Sequence, residues 1–301
     1  MQVAITGASG LIGTALTRSL RDDGHAVRPV VRRDSDDPAA IRWDPAAGTI
    51  DAAAFEGLDV VVHLAGAGIG DKRWSADRKR EILESRTRGT GLIARTLADL
   101  ATPPATFVSA SAVGYYGSRA DAVLTETSEP GDDFVAGVVQ AWEAATRPAV
   151  DAGIRTVLLR TAPVLSADGG ILPRMALPFR FFVGGRLGSG DQWMSWISLD
   201  DVVAAIRFLM ARDDVAGPVN VTAPEPVTNR EMSAALGRTL HRPSAIPVPA
   251  LPLQLALGRE MADSLLFVSQ RVHPRVLLDA GFTFTHATVD AALADALGTS
   301  R

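Results

Sequence analysis

Residues 6–13 read Thr6-Gly7-Ala8-Ser9-Gly10-Leu11-Ile12-Gly13 and directly follow the apolar run Val3-Ala4-Ile5. An apolar strand that enters a glycine-rich turn and leaves as a helix is the first unit of a dinucleotide-binding domain. Each glycine has a physical task. Gly7 makes the tight bend, Gly10 lets the backbone approach a pyrophosphate, and Gly13 lets the helix pack closely. Ser9, Gly10, Leu11, Ile12 and Gly13 join Gly7 as expected cofactor contacts, and the free N–H groups of the helix that follows, with the positive end of its dipole, then face phosphate. The amphipathic stretch from Leu11 to Leu20 supplies the helix that the motif requires.

Strand-like runs alternate with helical patterns through the first 165 residues. Strands are predicted at 2–6, 26–31, 40–43, 59–64, 105–110 and 155–160, with helices at 11–23, 77–101 and 134–152. Continuously apolar strands such as Val60-Val61-Val62 imply a parallel sheet covered on both faces. Segment 166–198, rich in Gly, Pro, Phe and Trp, reads as loops and short elements. A helix follows at 199–210, with Asp201 expected to cap it and hold two lobes together. Gly217 to Val221 reads as a last strand, and the chain from Thr228 onward as mainly helical. The expected fold is α/β, a Rossmann-type doubly wound parallel sheet with a smaller, mainly helical C-terminal lobe. Residues 1–165, completed by about 199–222, form the cofactor domain, and 166–198 with 223–301 form the substrate lobe.

Composition excludes several classes. The 301 residues are 47% hydrophobic, enough for one large or two unequal cores. A formal net charge of -4 gives no basic field, so a general nucleic-acid binder is not expected. With no cysteine there is no disulfide or thiolate chemistry, and the five histidines lack metal-ligand spacing, so no metal is expected. The first strand begins at residue 2, and no apolar stretch reaches the ~18–20 residues of a membrane span. The expectation is a soluble, cytoplasmic protein with no membrane partner.

The cofactor preference rests on strand 2, which ends Val30-Val31-Arg32-Arg33. NAD-binding versions place an acidic residue about 20 positions beyond the glycines. Arg32 stands there instead, 19 residues after Gly13. Arg32 and Arg33 can clamp a 2′-phosphate, so NADP(H) is favoured over NAD. Asp34, Asp36 or Asp37 folding back onto a ribose is the competing possibility. Asp44, at the end of strand 3, can accept from the adenine amino group, with Trp43 beside it or capping the surface.

Added to the glycine turn, His63-Leu64-Ala65-Gly66 after strand 4 and Ser109-Ala110-Ser111 after strand 5 resemble the extended short-chain dehydrogenase/reductase superfamily. Three further stretches narrow the likeness: Ser109 to Gly117, Gly184 to Gly190 and Trp196 to Val202. With them the chain resembles the atypical "epimerase family", the NAD-dependent epimerase/dehydratase-like proteins. The tail from Pro249 through Phe282 resembles that group's small C-terminal domain of unknown function. The resemblance covers nearly the whole chain and implies the fold and an NADP site.

It also exposes a break. The superfamily uses an Asn-Ser-Tyr-Lys set in which a lysine, four residues after the tyrosine, lowers the phenol's pKa. This chain has two tyrosines, Tyr115 and Tyr116, and two lysines, Lys72 and Lys79. Arg119 and Ala120 stand four residues after the tyrosines, and Phe134 to Val139 holds neither Tyr nor Lys. The serine remains as Ser111, and Arg86 fills the asparagine slot. Candidate catalytic groups are therefore Ser111, Tyr115, Tyr116 and Arg86. Ser109, Arg80 and Ser85 are candidates for ribose or phosphate, and Pro163 should run past the nicotinamide. Trp74, Trp193 and Trp196 are expected as pocket walls or core.

Two function classes follow. One is an NADP(H)-dependent oxidoreductase or isomerase acting on a small hydroxyl- or carbonyl-bearing substrate such as a nucleotide sugar, including an epimerase that retains its cofactor. The other is a non-catalytic NADPH-binding sensor. A homodimer through helices 77–101 and 134–152 is the assembly that superfamily relatives suggest, although those faces show no clear apolar seam.

Overall fold

In the computed structural model, which describes residues 1–244 and 246–298, eight strands form one sheet. They are β1 (Gln2–Thr6), β2 (Ala26–Val31), β3 (Ile41–Asp44), β4 (Thr49–Ile50), β5 (Val60–His63), β6 (Thr106–Ala112), β7 (Arg155–Thr161) and β8 (Gly217–Val221). Their spatial order is β8-β7-β6-β5-β1-β2-β3-β4. All pairs are parallel except β3 with β4. The chain works outward from β1 in one direction and from β5 in the other. Their junction is the switch point, where an open α/β sheet leaves a crevice at the carboxyl ends of its strands.

Helices α1 (Leu11–Asp22), α2 (Ala76–Ala98), α3 (Phe134–Ala144), α4 (Arg147–Asp151), α5 (Leu172–Arg180), α6 (Leu199–Ala211) and α7 (Asn229–Leu240) follow in chain order. Strand periodicity decides which face each residue meets. Val3, Ile5, Val60, Val62, Val108, Val157 and Leu159 pack with Leu16 and Leu20 of α1 and with Val202 and Ile206 of α6. The intervening Ala4, Val61 and Phe107 pack with Ile93 and Leu97 of α2. Both faces are covered, which is why these strands read as unbroken apolar runs.

The stretch predicted as one helix over 134–152 is two. Thr146 interrupts it, and Pro148, which has no amide hydrogen to donate, is tolerated in the first turn of the new helix α4. Segment 166–198 contains a full helix, α5, besides its short strands. A second core of Leu165, Leu172, Phe179, Trp196, Met232, Leu236 and Leu293 holds α5 and α7 to the C-terminal helix Val289–Ala296. Asp201 stitches this part to the sheet domain: its carboxylate accepts from the amides of Thr285 (2.7 Å) and His286 (3.0 Å) and from the Ser198 hydroxyl (2.9 Å). No helix among the described residues is long and apolar enough to cross a membrane.

Candidate functional site

The glycine turn joins β1 to α1 at the switch point. Gly7 has φ +69°, and a Cβ there would stand 3.0 Å from the Ala65 amide nitrogen and the Leu64 carbonyl carbon. The turn and the Leu64–Ala65 loop are thus pressed together, and only glycine fits. Gly13 is equally constrained, since an added Cβ would fall 2.1 Å from the Gly7 oxygen. Gly10 begins α1 in extended conformation with no side-chain cap, and no acidic residue occupies the first turn. The leading amides of α1 therefore keep their positive end for an anion. Ser9 and Gly10 are exposed and Leu11 and Ile12 half-buried. Leu11 meets the hairpin at Gly169 and Gly170, which roofs this end of the crevice. A pyrophosphate fits this donor set: backbone amides, no competing carboxylate, and no Cβ in the way.

The loop after β5 is anchored from below. Thr6 Oγ1 accepts from the amides of Leu64 (3.1 Å) and Ala65 (3.2 Å), and the Ser85 hydroxyl accepts from the Ala67 amide (3.3 Å). Ser85 thus shapes the loop by holding its backbone and donates its own proton to the Ile82 carbonyl. Gly66 lies over Arg86 of α2, where an added Cβ would sit 3.7–4.0 Å from the Arg86 Cγ, Cζ and Nε. The Arg86 guanidinium stacks on Trp142 at 4.9 Å and donates to the Ile82 carbonyl at 3.1 Å. Burial, and then the like charge of Arg78, pulls its pKa down to about 10.

Across the crevice a polar row runs over three adjacent strands. The register pairs Ser111 of β6 with Arg160 of β7, and Arg160 with Asn220 of β8. Arg160 is doubly bound to Glu143 of α3, Nε to Oε1 at 2.8 Å and Nη2 to Oε2 at 2.9 Å. Ser111 donates to the same Glu143 Oε1 at 2.6 Å. Burial by itself would lower the Arg160 pKa; the hydrogen bonds and charge of Glu143 reverse this and hold it above its ordinary value. The Arg160 guanidinium lies 3.4 Å from the centroid of the half-buried Tyr115 ring. Because the Ser111 proton is committed to Glu143, its oxygen lone pairs are what a ligand would meet.

Several expected site residues prove to be framework. Tyr116 is fully buried, its hydroxyl donating to Asn220 Oδ1 (2.6 Å) and accepting from Arg160 Nη1 (3.1 Å). Burial pushes its pKa up to about 12, so this phenol is a structural tie between strands and not an accessible acid or base. His63 points away from the crevice. The alternation that gives Val60 and Val62 to α1 and α6 turns His63 under α2, against Trp43 and Phe107. Its Nδ1 lies 2.7 Å from Thr6 Oγ1, which already accepts two amides and so donates its proton here. Burial lowers the His63 pKa to about 4, and the ring is neutral.

Ser109 is likewise fully buried, with its hydroxyl on the Ala110 carbonyl. Trp43 is a core residue under Gly89 of α2 and caps no surface. Asp44 caps its own turn, accepting from the amides of Ala46 (2.9 Å) and Ala47 (3.1 Å). Arg80 is exposed and paired with Asp77 within the first turns of α2. Pro163 is exposed beyond the end of β7, and its carbonyl accepts from the Ile197 amide at 3.1 Å. Arg32 and Arg33 are exposed just past β2. Of the acids that could compete there, Asp34 pairs with Arg42 and Asp37 with Arg21. Trp196 is core, and Trp193 is stacked by Arg271 at 4.2 Å.

Residues 3–222 match the NAD dependent epimerase/dehydratase family. The chain belongs to that family. Residues 248–296 match a domain of unknown function (DUF1731). An epimerase family protein of Mycobacterium bovis is 45% identical over 291 residues, covering 97% of this chain and 96% of that one. The crystal structure of the human epimerase family protein SDR39U1 with NADPH is 35% identical, with a TM-score of 0.90 and 100% of both chains covered. A nucleoside-diphosphate sugar epimerase from Corynebacterium glutamicum is 38% identical with a TM-score of 0.84; this chain spans 59% of its length.

Glu143, Trp142 and Asn220 were not singled out from sequence as site residues. Glu143 is the one charged residue of α3, and Arg160 ends the apolar run Val157-Leu158-Leu159. A lone acid in an apolar helix and a base directly after an apolar run are a signal for a buried pair, because neither is buried alone.

Proposed function

We propose that this member of the epimerase/dehydratase family binds NADP(H) and acts as an oxidoreductase or isomerase on a small hydroxyl- or carbonyl-bearing substrate, with nucleotide sugars among the candidates. The observation that carries the reading is the uncapped glycine turn, closed by the Leu64–Gly66 loop and continuous with the strand end that bears Ser111. Arg32 and Arg33 supply the 2′-phosphate contact. When bound, the nicotinamide supplies hydride transfer, and the protein positions the substrate and excludes water. Ser111, its proton held by Glu143, accepts a hydrogen bond from a substrate hydroxyl. Tyr115, fixed by Arg160, forms the adjoining wall.

A second reading is favoured by one observation. The only two tyrosines are a framework phenol and a ring stacked on Arg160, and α3 carries no lysine, so a protein that binds NADPH as a sensor fits the same geometry. Thermal unfolding with NADPH, NADH and each combined with nucleotide sugars tests both. A ligand at ~100 times its dissociation constant adds about 2.7 kcal/mol and raises the midpoint by several degrees. A further rise with one sugar nucleotide, followed by turnover, supports the enzyme. A rise with NADPH and no turnover across the panel favours the sensor. No rise with either dinucleotide refutes both.

A further inference from the structure

Arg86 is a mostly buried cation, and among the described residues no carboxylate lies within ion-pair distance of it. Its one hydrogen bond goes to the Ile82 carbonyl of its own helix, and its face rests on Trp142. The like charge of Arg78, two turns earlier on α2, repels it. Arg78 itself pairs with Glu81 and donates to the Gly68 carbonyl, while its buried Nε has no partner. A desolvated guanidinium with no counter-charge is costly, and proteins supply the missing anion from a partner or a ligand. Gly66 lies against the guanidinium, and a Cβ at that position would add contact with its Cζ (3.8 Å) and Nε (4.0 Å). None of the Arg86 nitrogens is both sealed from solvent and unpartnered, so its free donors remain reachable by a ligand.

We infer that Arg86 is the receptor for a carboxylate or phosphate group carried by the substrate. This rests on the NADP(H)-binding reading and narrows its substrate to an anionic one. The cofactor's own phosphates have other partners, the leading amides of α1 and Arg32 with Arg33. Arg86 instead stacks on Trp142, the neighbour of Glu143, which holds Ser111. A planar fork gripped on one face and open along one edge suits the two oxygens of a carboxylate or phosphate.

The test uses the NADPH-saturated protein with sodium malonate and sodium phosphate as probes, and sodium chloride at matched ionic strength as control. Either probe should raise the unfolding midpoint saturably in the wild type, by about 2 °C or more. Arg86→Gln should abolish that rise while changing NADPH affinity by less than about threefold, under about 0.7 kcal/mol at 1.4 kcal/mol per decade. Arg86→Gln removes a buried charge that has no counter-ion, so no charged partner is stranded and the variant is expected to fold. Arg86→Lys, charged but without the fork, should keep a weaker response. An equal rise in Arg86→Gln, or none in wild type that binds NADPH, overturns the inference. So does a loss of NADPH affinity above about tenfold in Arg86→Gln without any anion response in wild type, which assigns the guanidinium to the cofactor. If NADPH does not bind at all, the broader functional reading fails, and the same anions titrated onto the apo protein decide for Arg86 separately.

Discussion

Glu143→Gln isolates the charge that organises the centre of the crevice. The carboxylate accepts three charge-assisted hydrogen bonds, from Arg160 Nε and Nη2 and from Ser111, at 2.6–2.9 Å. Its side chain is only 11% exposed and that of Arg160 4%, so solvent screens the pair little. The amide retains the shape and one acceptor but no charge, and leaves the buried Arg160 cation with neutral partners alone, among them Tyr116 and the Glu126 carbonyl. Breaking one partner from such a pair costs about 3–5 kcal/mol. With an unfolding entropy of about 2.1 cal/mol/K per residue, a chain of this size loses roughly 5–8 °C in midpoint. Differential scanning calorimetry and urea unfolding measure it. Replacing both partners together, Arg160→Met with Glu143→Leu, should recover much of the loss, because an apolar pair needs no compensation. If turnover is found, Glu143→Gln should also lower kcat with NADPH affinity retained, since the amide can donate to Ser111 and reverse its hydrogen bond. A single-variant midpoint within about 1 °C of wild type, or a double variant as damaged as the sum of the singles, refutes the account.

Three further outcomes are expected. Arg32→Ala should weaken NADPH by roughly 10–100-fold, the worth of hydrogen bonds to a charged group, and NADH far less; equal losses in fluorescence titrations would remove the arginine from the 2′-phosphate site. Gly13→Ala would place a Cβ 2.1 Å from the Gly7 oxygen, so it should cost several kcal/mol or abolish dinucleotide binding, and a variant with normal stability and affinity contradicts the turn geometry. His63 has a folded pKa of about 4 against 6.5 in the unfolded chain, so the unfolded state takes up the proton first. Its contribution of about 3 kcal/mol is complete above pH 6.5 and is lost as pH falls toward 4. An NMR titration should find the ring neutral at pH 5, and an ordinary midpoint would show that the ring is not sealed in the core.

The local order of the chain determined a great deal. Glycine spacing after an apolar strand dictates a phosphate-facing turn, because only glycine tolerates φ +69° at Gly7 and the 2.1 Å approach at Gly13. Unbroken apolar strands dictate a sheet covered on both faces, and the absence of Tyr-x-x-x-Lys is arithmetic. What sequence could not settle is where side chains of distant segments point. His63 adjoins a cofactor loop in the chain, yet strand alternation turns its ring under α2. Tyr115 and Tyr116 are neighbours in sequence, but one faces the crevice wall and the other ties β7 to β8. Glu143, Arg160 and Ser111 lie on three separate elements, and only the parallel register of β6 and β7 beneath α3 makes them one charged unit. Arg86 is legible in sequence as the occupant of the asparagine slot, but that it stacks on Trp142 with no acid beside it is decided by packing. Backbone conformation is set by neighbours a few residues away, whereas the electrostatics of a buried group are set by whatever the fold brings against it.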